Sequence, residues 1–265
     1  MNRSTVRVIY FSPTGTSKSV VQAIADGFEG MIGGEEIDLT FPDYKANTEI
    51  GKSDLAVIGV PVYSGRVPEL AARRLKEIKG NGSSAVIVAV YGNREYEDAL
   101  VELRNIVVDM GFQVVAAAAF IGEHSFSTTE LPIAAGRPDT EDLDKASGFG
   151  RSIRQLLALP QKSSARELNI PGNVPYKEGM KNLPFTPIVD HATCSQCGTC
   201  VENCPSGAIS LTDLIVMDVD SCILCTSCIK ICPDEAVSLE STPMAERIVA
   251  LNENCSARKE PELFF

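Results

Sequence analysis

Short apolar runs alternate with amphipathic stretches through the first 160 residues of the chain. The runs Thr5 to Phe11, Glu35 to Leu39, Asp54 to Val60, Ala85 to Tyr91 and Phe112 to Ile121 read as strands. Most are nearly continuous in Val, Ile and Ala rather than alternating with polar residues, the pattern of strands covered on both faces. Helical periodicity falls between and after them, near 16 to 29, 67 to 78, 95 to 109 and 139 to 158. Strand and helix alternating in this way predict an α/β fold: a doubly wound, five-stranded parallel sheet with helices on both faces. Such a sheet binds its ligand in the crevice outside the carboxyl ends of its strands, so the loops after the first, third and fourth strands are the expected site.

The pattern changes after residue 160. Five of the 15 prolines (Pro160, Pro171, Pro175, Pro184, Pro187) crowd into 160 to 187 without clear periodicity, which marks a connector. Beyond it lies an internal repeat at an offset of 28 residues. Cys194, Cys197, Cys200 and Cys204 map onto Cys222, Cys225, Cys228 and Cys232, PSGAISL onto PDEAVSL, and Ile188 and Asp190 onto Val216 and Asp218. Each half reads as a strand, a cysteine loop, a short helical turn and a second strand. The expected division is a first domain over 1–160, a connector over 161–187, a small α+β domain over 188–240 and a tail over 241–265, with a short helix near Pro243 to Leu251.

Composition narrows the class. At 265 residues, 44% hydrophobic and 22% charged, the chain has the profile of a soluble globular protein large enough for two unequal domains. Its 24 Lys and Arg against 35 Asp and Glu give a net charge of -11, which disfavours nucleic acid and anionic membranes as partners. The acidity is concentrated: residues 188 to 240 carry eight acidic side chains and one basic. The longest apolar stretch, GFQVVAAAAFIG at 111 to 122, is too short for a membrane span and reads as a buried strand. All nine cysteines fall in the last 72 residues, and the N-terminus runs from a polar start straight into a strand-like run and a polar loop, unlike a secretory leader; a reducing cytoplasm is the expected location.

Each cysteine run reads C-x2-C-x2-C-x3-C-P, the spacing in which three thiolates bind one iron–sulfur cubane and the fourth binds the neighbouring cluster. Interleaving predicts one 4Fe-4S cluster on Cys194, Cys197, Cys200 and Cys232 and another on Cys222, Cys225, Cys228 and Cys204. A pair of zinc sites is the alternative, but zinc motifs usually join two separated C-x2-C pairs. Gly198, Thr199, Thr226 and Ser227 supply small or polar positions in the loops where amides can approach sulfur. Cys255 is left over as a free thiol.

In the first domain the first strand runs into SPTGTSKSV, a hydroxyl-rich turn opening a helix, which suits a terminal phosphate through Ser12, Thr14, Thr16, Ser17 and the backbone amides. Neither G-x4-G-K-[ST] nor a G-x-G-x-x-G after a strand is present, so ATP and dinucleotide sites find little support. GVPVYSGRVPEL follows the third strand and VAVYGNREYEDAL spans the fourth, so Tyr63 and Tyr91 could flank a planar ring with Gly65 and Gly92 letting backbone approach its edge. Arg66 and Arg94 lie in the same loops, either as cations for a reduced, anionic form of such a ring or as ordinary surface charges. For His124, after the fifth strand, and His191, three residues before Cys194, capping and surface roles are the simpler readings.

SPTGTS, PVYSGRVPE, YGNREYEDAL, GEHSFS, AAGRPD and the paired cysteine runs together resemble the bacterial family of flavodoxin–ferredoxin fusion proteins, over nearly the whole chain to about residue 240. The resemblance implies a flavodoxin-like first domain binding FMN through Ser12, Thr14, Gly15, Thr16, Ser17, Pro61, Val62, Tyr63, Ser64, Gly65, Tyr91, Gly92, Asn93, Arg94 and Tyr96. It further implies two 4Fe-4S clusters in a ferredoxin domain, and electron transfer in anaerobic or fermentative metabolism. The leading expectation is a relay between FMN, the clusters and an external redox protein partner. The alternative is a flavin-dependent reductase of a small-molecule acceptor, fed through the clusters.

Overall fold

A computed structural model describes residues 5–44, 47–159, 168–179 and 183–265. The first domain runs β1 (Thr5–Tyr10), α1 (Thr16–Asp26), β2 (Ile32–Gly33), β3 (Ile37–Asp38), β4 (Leu55–Pro61), α2 (Glu69–Leu75), β5 (Ser84–Tyr91), α3 (Ala99–Asp109), β6 (Gln113–Ile121) and α4 (Thr140–Ala158). β1 pairs in parallel with β4 on one side and with the short β2 and β3 on the other, and β5 and β6 follow β4 in parallel. Counting β2 and β3 as one position, the order is 2-1-3-4-5, the flavodoxin-like doubly wound order, with its switch point between β1 and β4.

Both faces of the central strands are covered, which is why their sequences do not alternate. Val6, Val57, Val86 and Val88 pack with Val20, Val21 and Ile24 of α1 and Phe149 and Ile153 of α4 on one side. Ile9, Ile58 and Ile87 pack with Leu75 of α2 and Leu100, Leu103 and Val107 of α3 on the other. Helices α1 and α4 approach so closely that a Cβ on Gly150 would stand 2.1 Å from the Ile24 carbonyl oxygen. Helix α4 begins at a reciprocal cap, in which the Asp139 carboxylate accepts from the Asp142 amide and the Asp142 carboxylate from the Asp139 amide.

The second domain comprises β7 (Ile188–Val189), α5 (Thr199–Glu202), β8 (Ile209–Leu211), β9 (Ile215–Met217), α6 (Ser227–Lys230) and β10 (Val237–Ser238). The repeat is visible bond by bond. Asp190 accepts from Ala192 and Thr193 as Asp218 does from Asp220 and Ser221, and the Ala208 amide donates to the Cys204 sulfur as Ala236 does to Cys232. The halves exchange partners: β10 of the second pairs antiparallel with β7 of the first, and β8 pairs with β9.

The described part of the connector does not hang free. Asp98 accepts from the Asn173 amide at 2.8 Å and the Lys177 amide at 2.7 Å, while Arg66, paired twice with Glu102 at 2.7 Å, stacks over the Tyr176 ring. Residues 161–167 and 180–182 of the expected connector lie outside the described residues.

The tail adds a helix where one was expected and a strand that hydropathy did not announce. It forms α7 (Ala245–Asn254), close to the expected short helix, and then β11 (Glu262–Phe264), which joins the first domain's sheet antiparallel to β6. Beside the five parallel positions the sheet therefore carries one antiparallel edge strand. Among the described residues no helix is long and apolar enough to cross a membrane.

Arg137 ties this assembly together. Its Nε donates to Asp142 Oδ2 at 2.7 Å, its Nη1 to the Lys259 carbonyl of the tail at 2.7 Å, and its own carbonyl accepts from the Glu123 amide. The Arg137 and Asp142 side chains are only 5% and 0% exposed, so each depends on the other. Arg137→Leu should leave the buried Asp142 carboxylate with only the more distant Arg258 at 3.7 Å and the Asp139 amide, and lower the unfolding free energy by about 3 kcal/mol, measured by urea denaturation. A loss under about 1 kcal/mol would show that the pair does not hold the tail and loop in place.

Candidate functional site

Four loops and the strand ends beside them enclose a cleft at the carboxyl edge of the sheet, where the topology puts it. Thr14 and Thr16 come from the turn opening α1; Pro61, Val62, Tyr63 and Ser64 follow β4; Tyr91, Gly92 and Arg94 follow β5. Gly122, Glu123, His124, Ser125 and Phe126 after β6 complete the first domain's share.

Local sequence explains each loop. Gly15, at φ 85°, starts α1, while the Ser12 hydroxyl accepts from the Lys18 amide at 3.0 Å and so closes the turn itself. Ser17 is fully buried at the first turn of α1, and its Oγ has no hydrogen-bond partner. Ser64 and Gly65, both at positive φ, form a two-residue turn across which Tyr63 and Arg66 exchange backbone hydrogen bonds at 3.0 and 3.1 Å; this presents Tyr63 to the cleft. Tyr63 keeps part of its ring open to the cleft while its hydroxyl lies deep between the domains. That burial, with the Cys225 thiol adding to it, pushes its ionisation well up. Gly92 must lack a side chain, because a Cβ there would meet His124 Cδ2 at 2.4 Å.

The electrostatics of the cleft are mostly cancelled in pairs. Arg94 is held charged by Glu97 at 2.9 Å. Burial works to raise the Glu123 carboxyl, but Lys230 at 2.7 Å and the Gly136 amide hold it below its ordinary value. Burial, followed by the nearby cations of Arg94, Arg247 and Lys230, pushes His124 down to about 4, so its ring is neutral at pH 7. His124 Nδ1 accepts from the Phe126 amide at 3.0 Å: the histidine is a cap, as its simpler reading held, and it also lines the cleft. Burial pushes Tyr91 up to about 12, keeping its hydroxyl protonated.

Other expected residues are placed elsewhere. Gly65 sits behind the cleft against the Glu97 side chain. Asn93 and Tyr96 hold the tail: Asn93 Nδ2 donates to the Cys255 and Ala257 carbonyls at 2.6 and 2.8 Å, and the Tyr96 hydroxyl to Glu262 at 2.9 Å. Arg66 points to Glu102 and the connector, leaving Arg94 as the loop arginine at the cleft. His191 is exposed beside Asp190. Cys255 is free and buried, and the Asn93 amide holds its carbonyl.

The thiols gather into two fours. Cys194, Cys197, Cys200 and Cys232 line one cavity; Cys204, Cys222, Cys225 and Cys228 line the other. The mutual influence of the thiols gives the same grouping. Burial pushes Cys200 up and Cys194, Cys197 and Cys232 add to it, whereas Cys225, pushed up to about 12 by burial, is further raised by Cys204 and Cys222. The sulfurs stand around each cavity instead of converging on a point. Among the described residues no group of three or more His, Cys, Asp or Glu is placed to hold a single metal ion, whereas tetrahedral zinc needs four sulfurs at about 2.3 Å from one centre. The first set is the outer one, with Cys197 exposed and its thiol held down chiefly by the Thr199 hydroxyl at 3.3 Å.

Cleft and cysteines meet. Leu224, between Cys222 and Cys225 and 4% exposed, lines both the cleft and the second cysteine cavity. Around it the domains are fastened by Thr226 Oγ1 donating to the Ser125 carbonyl at 2.6 Å, by Lys230, and by Arg74, whose Nη2 donates to the Pro205 carbonyl at 2.8 Å. Arg247 and Leu251 of α7 supply the rest of the cleft's wall. Sequence reasoning did not select Leu224, Arg247 or Leu251; no motif residue marks them, and only the docking of the domains brings them in.

Residues 193–236 match the family model for the 4Fe-4S dicluster domain. No curated protein matches the chain. Among solved structures, a flavodoxin from the domain Archaea is 15% identical at a TM-score of 0.38, covering 58% of this chain and 98% of its own. A Fusobacterium nucleatum flavodoxin variant bound to flavin mononucleotide is 16% identical at 0.39, covering 58% and 97%. A flavodoxin, WrbA-like protein from Agrobacterium tumefaciens is 13% identical at 0.37, covering 58% and 96%. At these scores the likenesses add nothing to the strand order, which carries the fold. A flavodoxin-like sheet followed by a 4Fe-4S dicluster domain is the arrangement that the sequence resemblance implied.

Arg74 offers a test of the docking. Buried over the Tyr44 ring, it donates to the carbonyls of Leu39, Thr40 and Pro205, the last adjoining Cys204. Arg74→Met should leave these acceptors without their donor at a cost of about 1–3 kcal/mol each where they remain dry. Hydrogen exchange should then quicken in residues 204–208 well before the sheet opens. Unchanged protection there would show that Arg74 does not fasten the second domain.

Proposed function

We propose that the chain is an electron-transfer flavo-iron-sulfur protein that holds FMN in the cleft and a 4Fe-4S cluster in each cysteine cavity. The observation that carries this reading is Leu224, one side chain forming a wall of both the cleft and the cavity of Cys204, Cys222, Cys225 and Cys228.

The residues present fit each group. At the start of α1, the buried Ser17 Oγ lacks a partner beside Thr14, Thr16 and the positive end of the helix, which suits a phosphate. Tyr63, Tyr91 and the side-chain-free Gly92 border the rest of the cleft, which suits a planar ring. Ser12 and Gly15 shape the phosphate turn, and Gly65 shapes the Tyr63 turn, from behind. Two sets of four thiols around cavities suit cubanes better than zinc. The proposed ligands are Cys194, Cys197, Cys200 and Cys232 for the outer cluster and Cys204, Cys222, Cys225 and Cys228 for the inner one. When bound, FMN supplies exchange between paired and single electrons, and the clusters supply single-electron storage.

The chain's own residues then do three things. Thr226, Lys230 and Arg74 hold the inner set against the cleft without an encounter step. Burial of Cys225 and Cys228 keeps water from the inner set, while the exposed Cys197 turns the outer set toward solvent. The eight acidic residues over 188–240, against one basic, favour a redox partner with a basic face. A free small-molecule acceptor is the weaker reading, because Leu224, Arg247 and Leu251 of the docked second domain and tail occupy a side of the cleft where such an acceptor would have to stand.

Anaerobic stepwise reduction followed by visible absorption tests the whole reading. Flavin bands and the broad iron–sulfur absorption should both bleach; protein that takes up no flavin from excess FMN, or carries no iron, overturns it. Cys204→Ser tests the interleaved ligand sets. It should deplete the cluster of Cys222, Cys225 and Cys228 more than the cluster of its own repeat, as read by iron analysis and electron paramagnetic resonance. Selective loss of the Cys194 cluster would sink the assignment.

A further inference from the structure

Four chargeable nitrogen- or carboxylate-bearing side chains line the cleft: Arg94, Glu123, His124 and Arg247. Three are electrically spent. Arg94 is paired with Glu97 and Glu123 with Lys230, and His124 is neutral at pH 7. The phenols of Tyr63 and Tyr91 are also uncharged there. Arg247 differs: among the described residues no carboxylate pairs with it. It stands on the exposed rim of the cleft as the lining cation that no carboxylate neutralises.

Arg247 belongs to the tail, outside both cofactor motifs, and reaches the cleft through two attachments. At the start of α7, Met244 and Ile248 pack with Leu224 and Leu239 of the second domain and against Phe126 of the first. At its end, Asn93 of the cleft loop clasps the Cys255 and Ala257 carbonyls, after which Lys259 reaches the Arg94 carbonyl and Glu95. Helix α7 is thus pinned at both ends with Arg247 and Leu251 facing the cleft between them.

We infer that α7 completes the cofactor site and that Arg247 is the cation which favours the reduced, anionic form of the bound ring. The inference rests on the FMN reading above. A flavin that takes up two electrons, one from each reduced cluster, and one proton gains a net single negative charge on its ring. A fixed cation binds that monoanion more tightly than the neutral oxidised ring. Through linkage the ratio of the two affinities appears as a raised reduction potential. The residue acts by its charge at the rim and takes no part in bond making.

The test compares full-length wild type, Arg247→Gln and Arg247→Lys, each loaded with FMN and with its clusters, by spectroelectrochemical titration of the flavin at low and high salt. An exposed charge interaction of about 0.2–1 kcal/mol sets the scale, up to about fivefold in affinity. Arg247→Gln should weaken binding of reduced FMN about three- to fivefold more than binding of oxidised FMN. That lowers the two-electron potential by about 14–21 mV, at about 30 mV per tenfold. Arg247→Lys should restore most of the shift, and high salt should erase the difference between the proteins. Equal potentials in wild type and Arg247→Gln at low salt overturn the inference, as does an equal shift in Gln and Lys variants, which would make the effect one of shape. A wild-type chain that takes up no FMN overturns the function reading itself, and this inference with it.

Discussion

The structure depends on one constraint: neither cysteine cavity can be closed by its own repeat. Each C-x2-C-x2-C run brings three thiols to one side of a cavity, and the fourth comes from the other run, Cys232 for the first and Cys204 for the second. The backbone obeys the same exchange, β7 pairing with β10 across the halves. A 53-residue stretch this short has little apolar core of its own, and cysteines are a large part of the cluster that it buries. Its repeats are therefore tied by shared side chains more than by area. The internal symmetry leaves the two sets in different surroundings, one turned outward with Cys197 exposed and the other pressed on the first domain.

That asymmetry is made by docking, and the docking is polar where it must be specific. Thr226, Lys230 and Arg74 donate to backbone or carboxylate oxygens across the boundary, while Leu224, Met244 and Ile248 fill the apolar centre. Arg74 is a guanidinium buried under aromatic rings, and burial lowers its affinity for the proton. Such a group persists only because its carbonyl partners are fixed on both domains. The tail repeats the principle at the far side: α7 starts in the apolar centre, Asn93 clasps its end, and β11 takes the open edge of β6. An exposed parallel edge is thereby covered by a strand from beyond the second domain, so the two domains are fastened from both sides.

Much of this could be read along the chain, for a physical reason. The four covered strands β1, β4, β5 and β6 announce themselves because burial on both faces demands continuous apolar runs, and the helices because one face alone is buried. Glu35 to Leu39 was harder, since an edge position needs only two residues of pairing: the structure keeps Ile37–Asp38 of it as β3 and places β2 before it, at Ile32–Gly33. β11 was illegible: Glu262, Leu263 and Phe264 have no period, and only the edge of β6 makes them a strand. At the cleft, residues on loops adjoining strand ends were legible because topology fixes where such loops converge. Asn93 and Tyr96 stand in the same loop and turn to the tail, a choice set by where Cys255 and Glu262 come to rest. Arg66 and Arg94 are equally close to tyrosine–glycine pairs in sequence; Glu102 on α3 claims the first, and only the second reaches the cleft. Leu224 looked like spacer between two cysteines, and its importance comes wholly from which domain it touches.

The order of the parts bears on the proposed activity more than any single residue does. Cleft, inner thiols and outer thiols follow one another, and at the first junction one leucine separates the two cavities. At the second, Cys200 of the outer set lies near enough to raise the Cys228 thiol, after burial and the thiols of its own set. A reductase of diffusible acceptors would gain from an open face over its ring; here the second domain and the tail stand on that face. A carrier gains from the opposite arrangement, in which the cleft is covered by the component that exchanges electrons with it and the only exposed thiol set faces outward. The rigid fastening also removes diffusion between the proposed cofactors, leaving the contact with an outside partner as the one step that concentration can govern.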